Sequence, residues 1–192
     1  MLEHLLAPVV DLAGLTPPEA AALADAFRLV HLPRNSVWVA RGSTQGDLGL
    51  IESGMLCYFL YKDGTEYANY LAPAGELVAP LAGLLHQEAN LEQIAAVTDT
   101  RLWVVGREAF MHLVQTLPNG WRMLAQLLAY QIGCMEASRR DALLLTAGER
   151  YQQLLAKEPQ LLQQAPLHHI AQVLGITPQH LSRLRRKRVG AF

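Results

Sequence analysis

Residues 166–187 read PLHHIAQVLGITPQHLSRLRRK and decide how the rest of the chain is interpreted. The apolar residues of 170–174 give a first helix one apolar face, and Gly175 follows at its end, where a left-handed backbone favours glycine. Thr177 can cap a second helix, and Pro178 suits its first turn because a missing N–H loses nothing there. Two short helices and a tight turn are predicted, in the layout of a DNA-reading helix-turn-helix.

The second helix of this motif divides into an inner and an outer face. Leu181 and Leu184 point inward, which leaves polar side chains outward at the helix start and a basic run at its end. The former are placed to reach base edges and the latter to reach phosphates. The plainer alternative is a corner of two helices with a solvated basic tail. The predicted DNA-binding residues are Thr177, Gln179, His180, Ser182, Arg183, Arg185, Arg186 and Lys187.

The charge of the chain is distributed unevenly. Residues 160–192 contain no acid and have a net charge of +5, whereas the remainder is −6 and the whole chain is −1. A basic end on an acidic body favours nucleic acid as the partner of that end.

The composition predicts a cytoplasmic globular protein. Of 192 residues 51% are hydrophobic, yet no apolar run approaches the roughly 20 residues of a membrane span. The first ten residues contain Glu3 and His4 and lack a basic leader, so they are interpreted as a mature N-terminal helix. Cys57 and Cys134 lie far apart in apolar surroundings, without a disulfide framework.

The middle of the chain has the pattern of a small antiparallel β structure. The motif Lys62-Asp63-Gly64-Thr65 predicts a tight hairpin, because Asp-Gly supports positive φ. Frequent turns between short strands favour a barrel or roll. A helix is expected before the roll, from Pro17 to about Leu29. The predicted strands cover residues 37–39, 48–51, 55–61, 66–71, 93–97 and 101–105.

After Val105 the chain is predicted to be helical, with a short helix at 107–117 and a long one at about 119–145. Residues at alternating spacings of three and four make a heptad seam on the long helix, which predicts a homodimer interface; packing on its own barrel is the alternative. A capping box at Thr146 and Glu149 begins a further helix through Lys157. The predicted domains are 1–118, 119–145 and 146–192. The predicted dimer-interface residues are Trp121, Leu124, Leu128, Gln131, Met135 and Ser138.

This order of roll, long helix, hinge and helix-turn-helix resembles the Crp/Fnr family of bacterial transcription regulators. Its motifs here are Ile51-Glu52-Ser53-Gly54, Lys62-Asp63-Gly64-Thr65, Ala74-Gly75-Glu76-Leu77 and the helix-turn-helix. The resemblance implies an α+β fold with an antiparallel β-roll or jelly-roll effector domain, a dimerisation helix and a winged DNA reader. It implies a homodimeric transcription regulator whose partners are a pseudo-palindromic double-stranded DNA operator and RNA polymerase.

The family's cyclic AMP site is altered in this sequence. Residues 84–93 contain no Lys or Arg, and Asn90 occupies the place of the arginine that holds the cyclic phosphate in family members. Met135-Glu136 stands where those members have a Thr-Ser pair. Cyclic AMP is therefore predicted not to be the effector; a ligand would be neutral or apolar, and a filled pocket is the alternative. The candidate effector-pocket residues are Tyr58, Tyr70, Gly75, Glu76 and Met135.

The sequence identifies no cofactor, metal site or catalytic centre. The chain has no cysteine before Cys57, whereas the family's iron–sulfur sensors use an N-terminal cysteine cluster. His31, His86 and His112 are the candidate haem ligands, but each is a lone histidine without a supporting motif. No catalytic set of side chains is recognisable, so the protein is predicted not to be an enzyme. Residues 189–192 are too few for the family's wing, as in a shorter branch or a truncated chain. Two other readings remain: a ligand-binding module that signals through protein contacts, and a metal-dependent barrel enzyme.

Overall fold

The structure is a computed structural model, which describes residues 2–189, with side chains described as far as residue 186. Within these residues eight strands form two four-stranded antiparallel sheets. The predicted α+β fold with an antiparallel roll is confirmed. The strands are β1 (Arg28–Leu32), β2 (Val37–Val39), β3 (Leu48–Ser53), β4 (Met55–Lys62), β5 (Thr65–Pro73), β6 (Leu77–Val78), β7 (Gln93–Ala96) and β8 (Thr100–Val105). One sheet has the strand order β1-β8-β3-β6 and the other has the order β2-β7-β4-β5.

Helices precede and follow the roll. The two N-terminal helices pack against each other, and the first also packs on the long helix that follows the roll. A short π-helical turn, Ala82–His86, interrupts the roll. No helix within residues 2–189 is long and apolar enough to cross a membrane. The helices are α1 (Leu2–Ala13), α2 (Pro17–Asp25), α3 (Arg107–Thr116), α4 (Gly120–Leu144), α5 (Ala147–Lys157), α6 (Pro159–Gln164), α7 (Leu167–Val173) and α8 (Pro178–Val189).

Local sequence signals set several of these elements. Asp63 and Gly64 have φ values of 50° and 76° in the two-residue turn between β4 and β5, as the Asp-Gly motif predicted. At the start of α5 the Thr146 hydroxyl accepts the N–H of Glu149, and the Glu149 carboxylate accepts the N–H of Thr146. The predicted hairpin and capping box are both confirmed.

The helix predicted from Pro17 to about Leu29 is wrong at its C-terminal end. It ends at Asp25, and Arg28 begins β1, which pairs with β8 through Leu29–Trp103 and Val30–Leu102. This long-range pairing overrides the local helical pattern, because a strand at the edge of the sheet buries one face against the roll. The short elements β6 and α6 and the π-helical turn were also not predicted.

Three apolar clusters hold the molecule together. The first lies between the two sheets and includes Ile51 and Leu102, both fully buried. The second joins the roll to α1, α3 and α4 around Phe110 and Met123. The third joins the outer face of the β4–β5 sheet to the C-terminal helices. The question of a wing concerns residues 189–192, of which 190–192 lie outside the described part of the chain.

Candidate nucleic-acid interface and effector site

The turn between α7 and α8 has the predicted local chemistry. Gly175 has a φ of 67°, and its N–H donates to the carbonyl of Gln172. The Thr177 hydroxyl accepts the N–H of His180 at 3.2 Å, so it caps α8, and Pro178 is the first residue of that helix. The turn therefore fixes the point at which α8 begins.

The side chains of α8 separate into an inner and an outer face, with the exception that Ser182, predicted on the outer face, is half-buried. Leu181 is fully buried, Ser182 and Leu184 are half-buried, and Thr177 at the cap is exposed. Arg185 donates to the carbonyl of Leu162 at 3.0 Å, which gives part of its guanidinium an internal partner. The side chain of Lys187 lies outside the described residues. The exposed residues of the outer face are Gln179, His180, Arg183 and Arg186.

Arg150 connects the hinge to this turn, a role that sequence reasoning missed. One guanidinium nitrogen donates to the carbonyl of Leu145 after α4, and the other donates to the carbonyl of Leu174 after α7, both at 2.7 Å. A cation at two helix C-termini satisfies otherwise unpaired carbonyls. Arg150 follows the capping box, but nothing in its spacing identifies two distant carbonyls as its partners.

The long helix α4 is buried against the rest of the chain at its start and is exposed to solvent towards its end. Leu124 lies in the chain's own core and Leu128 packs partly against it, so this part of the predicted seam contacts α1 and the roll. Trp121, Gln131, Met135 and Ser138 are exposed. The large apolar side chains exposed on α4 are Trp121, Tyr130, Ile132, Met135, Leu143 and Leu144.

Tyr58, Tyr70 and Glu76 come together at the predicted effector pocket. The Tyr70 hydroxyl donates to the Glu76 carboxylate, whose oxygens lie 2.7 and 2.9 Å away. The Tyr58 and Tyr70 rings are 6.1 Å apart, and the Tyr58 hydroxyl accepts the N–H of Ala79 at 3.0 Å. These polar groups already have partners within the chain. Met135, also predicted here, is 58% exposed on α4.

Gly75 shapes the turn that presents Glu76. It has a φ of 91°, where a side chain would be strained, and its N–H donates to the carbonyl of Ile51 at 2.8 Å. The backbone carbonyl of Glu76 accepts the N–H of Ile51 in return. The turn is thereby fastened to β3, and the Glu76 side chain extends toward Tyr70.

Asn90, which the sequence predicted at the position of the family's arginine, is buried between two segments of the roll. The residue is only 4% exposed, and its amide nitrogen donates to the carbonyl of Gln45 at 2.9 Å. Its amide oxygen accepts the N–H of Gly83 at 3.1 Å. A Cβ on Gly83 would lie 2.0 Å from the Gln45 carbonyl oxygen, so not even a methyl group fits between the two segments.

Burial raises the pKa of Glu76 to about 7; nearby Glu158 adds to this rise and the Tyr70 hydrogen bond opposes it. The folded-state pKa of Glu76 lies above its ordinary value. Protonated Glu76 therefore contributes to the unfolding free energy below about pH 4.5, and this contribution is lost as pH rises through about 7. We therefore expect Glu76→Gln to flatten the fall in unfolding free energy over this range, measured by urea denaturation at several pH values.

Glu88→Gln removes a carboxylate at an exposed position and is the control for the loss of an acid as such. An unchanged pH profile in Glu76→Gln would show that Glu76 is as well solvated in the folded chain as in the unfolded one.

Metal-binding side chains are not clustered in the described part of the chain. Within residues 2–189 no group of three or more His, Cys, Asp or Glu side chains could hold a metal ion. Cys57 is buried and Cys134 is exposed, and both are free thiols. Burial raises the pKa of the Cys57 thiol far above its usual range, which keeps it protonated and unreactive.

Comparison with known proteins identifies the family that the roll matches and the solved structures that share the fold of the chain. Residues 29–117 match the family model of the cyclic nucleotide-binding domain. The catabolite activator protein of Thermus thermophilus is 25% identical, with a TM-score of 0.58, and the match covers 95% of this chain and 86% of that one. Among curated protein sequences none matches the chain.

Two further solved structures share the fold at lower identity. FixK2 from Bradyrhizobium japonicum is 16% identical with a TM-score of 0.72, covering 84% of this chain and 83% of its own. A protein from Eubacterium rectale assigned to the Crp/Fnr family of transcriptional regulators is 17% identical with a TM-score of 0.65, covering 92% and 85%. The roll therefore matches the cyclic nucleotide-binding domain family, and the chain as a whole shares the fold of solved transcription regulators that include a Crp/Fnr family member.

Proposed function

We propose that this protein is a homodimeric, sequence-specific DNA-binding transcription regulator and not an enzyme. The observation that carries the proposal is the outer face of α8, where Gln179, His180, Arg183 and Arg186 are exposed on a helix whose start is capped by Thr177. Arginine and glutamine at the start of an exposed helix can read base edges in the major groove. A regulator of this kind acts where the DNA is, in the cytoplasm, with RNA polymerase as its further partner.

The proposed dimer rests on the bare part of α4. Met135 is 58% exposed and Ile132 61% exposed on α4 in the single chain. Large exposed apolar side chains in a row mark an interface, and a two-fold pair of α4 helices would bury them against each other. Two α8 helices would then read a pseudo-palindromic site whose halves lie about 34 Å apart, one turn of DNA.

The test of the proposed function is selection of DNA by the full chain. Sequences bound from a random duplex library should converge on a pseudo-palindrome, and binding to it should exceed binding to a scrambled duplex at every salt concentration. Equal binding to both, or none, would reject the proposal and favour a module that signals through protein contacts.

The protein is expected not to bind cyclic AMP at physiological concentrations. A cyclic phosphate keeps its negative charge, and here it would meet Asn90 in place of a cation, with Glu88 and Glu92 in the same segment. A buried anion without a charged partner costs several kcal/mol. Isothermal titration of the full chain with cyclic AMP and cyclic GMP should show no saturable heat. Tight binding of either, abolished by Glu76→Ala, would restore the ordinary cyclic-nucleotide sensor.

A further inference from the structure

The C-terminal helices do not stand apart from the roll. Ile170 and Ala171 of α7 are fully buried in one cluster with Cys57 and Phe59 of β4 and Leu71 of β5. The strand order places β5 at the edge of its sheet, and α7 lies against this strand. An uncovered edge strand has unpaired backbone groups, so α7 has the position of a cover for that edge.

One side-chain hydrogen bond fixes the register of this cover. The pairing of β4 with β5 shifts between Tyr58 and Phe59, so that Phe59 faces Ala68 and Asn69 is an extra residue in β5. The N–H of Ala68 donates to the side-chain oxygen of Gln172 on α7 at 3.0 Å. The irregular point of the edge strand is therefore satisfied from the helix.

His169 lies at the centre of the same contact. Its ring meets the Phe59 ring edge-on at a centroid distance of 5.2 Å, and the centroid of the His168 ring lies 4.0 Å away. Its Nδ1 is buried and has no hydrogen-bond partner among the described residues. A second ring proton on this imidazole would bring a positive charge to a site that offers that nitrogen no acceptor.

We propose that the contact between α7 and β5 is a proton-sensitive latch, which holds the C-terminal helices on the roll while His169 is neutral and releases them when it is protonated. We call this contact, made by Phe59, Ala68, His169 and Gln172, the α7 latch. Its consequence for operator binding rests on the proposed function, because release would free α8 from a fixed position relative to α4. The latch itself is independent of DNA.

On balance, the surroundings of His169 favour its neutral form. Burial lowers the pKa of His169, and His168 and Arg34 lower it further, while Glu66 on β5 opposes them. The Glu66 carboxylate is also engaged by the Tyr61 hydroxyl at 2.5 Å. Because the docked pKa lies below the ordinary 6.5, the latch has its full stability above about pH 6.5 and loses it as pH falls through the lowered value.

Hydrogen–deuterium exchange of the full chain, without DNA, tests the latch. Exchange of residues 65–73 would be compared at about pH 8 and about pH 5.5, with labelling times scaled for intrinsic exchange and with β8 as the internal reference. We expect the β5 amides of the unmodified protein to exchange about three- to tenfold faster, relative to β8, at the lower pH.

Variants separate His169 from its neighbour. His169→Phe keeps an aromatic edge on Phe59 and cannot be protonated, so β5 should stay protected at both pH values. The matched His168→Phe should still respond to pH, with its midpoint moved to higher pH because a group that lowers the pKa of His169 is removed. Gln172→Ala leaves the imidazole intact and should speed exchange of the Ala68 amide at both pH values. The proposal would be overturned if the β5 amides of the unmodified protein were equally protected at both pH values. It would also be overturned if β5 exchange in His169→Phe increased at the lower pH as much as in the unmodified protein. Since no DNA is present, failure of DNA binding cannot produce either result.

Discussion

Replacing Met135 with glutamate is expected to convert the proposed homodimer to a monomer. Met135 is 58% exposed in the single chain, so the substitution leaves the monomer's own core intact. Across a two-fold axis it would bury two like charges against each other without partners. Such a pair costs about 3 kcal/mol or more, which raises the dimer dissociation constant by about 100-fold or more. Sedimentation equilibrium or light scattering over a range of concentrations measures this directly.

Ala129→Glu is the matched control for this experiment. Ala129 is exposed on the same helix, about a third of a turn away from the seam that contains Met135. It should leave the dimer intact while adding the same charge to the same helix. Leu128→Glu is less informative, because Leu128 packs partly against the chain's own core. If Met135→Glu remains dimeric while folded, the interface lies elsewhere on the molecule.

The parts of the fold that the sequence predicted are those whose causes are local. The Asp63-Gly64 turn, the capping residue Thr146 and the turn at Gly175 depend on backbone conformations or short-range hydrogen bonds that a few neighbouring residues determine. The structure reproduces each of them at the predicted position. Periodicity located the roll and the long helix for the same reason.

What the sequence did not predict depends on contacts between distant segments. Residues 28–32 continue the helical pattern of the preceding sequence, but they form a strand because they pair with β8. From the sequence, Asn90 is noticeable only because it replaces a predicted arginine. In the structure its side-chain amide hydrogen-bonds to the backbones of Gln45 and Gly83. Gln172 and His169 belong to the pattern of a helix-turn-helix, and nothing local indicates that they contact β4 and β5.

Replacing Arg183 with alanine is expected to lower affinity for the selected operator far more than affinity for random DNA. Arg183 is exposed on α8 within two turns of the capping Thr177, where an arginine can donate to O6 and N7 of a guanine. Loss of such a pair removes about 1–3 kcal/mol of discrimination, equivalent to about 5- to 150-fold in specific binding. Titration of labelled operator and scrambled duplexes, followed by fluorescence anisotropy, gives both affinities.

Arg186→Ala is the control that distinguishes base reading from phosphate binding at this surface. Arg186 is also exposed, but it lies in the basic run near the end of α8, where we expect a phosphate contact. Its loss should weaken binding to both duplexes alike and should reduce the slope of log affinity against log salt by about one. If Arg183→Ala behaves in that second way, with equal losses on both duplexes, then Arg183 contacts only the phosphate backbone, and sequence reading belongs to other residues of α8 such as Gln179.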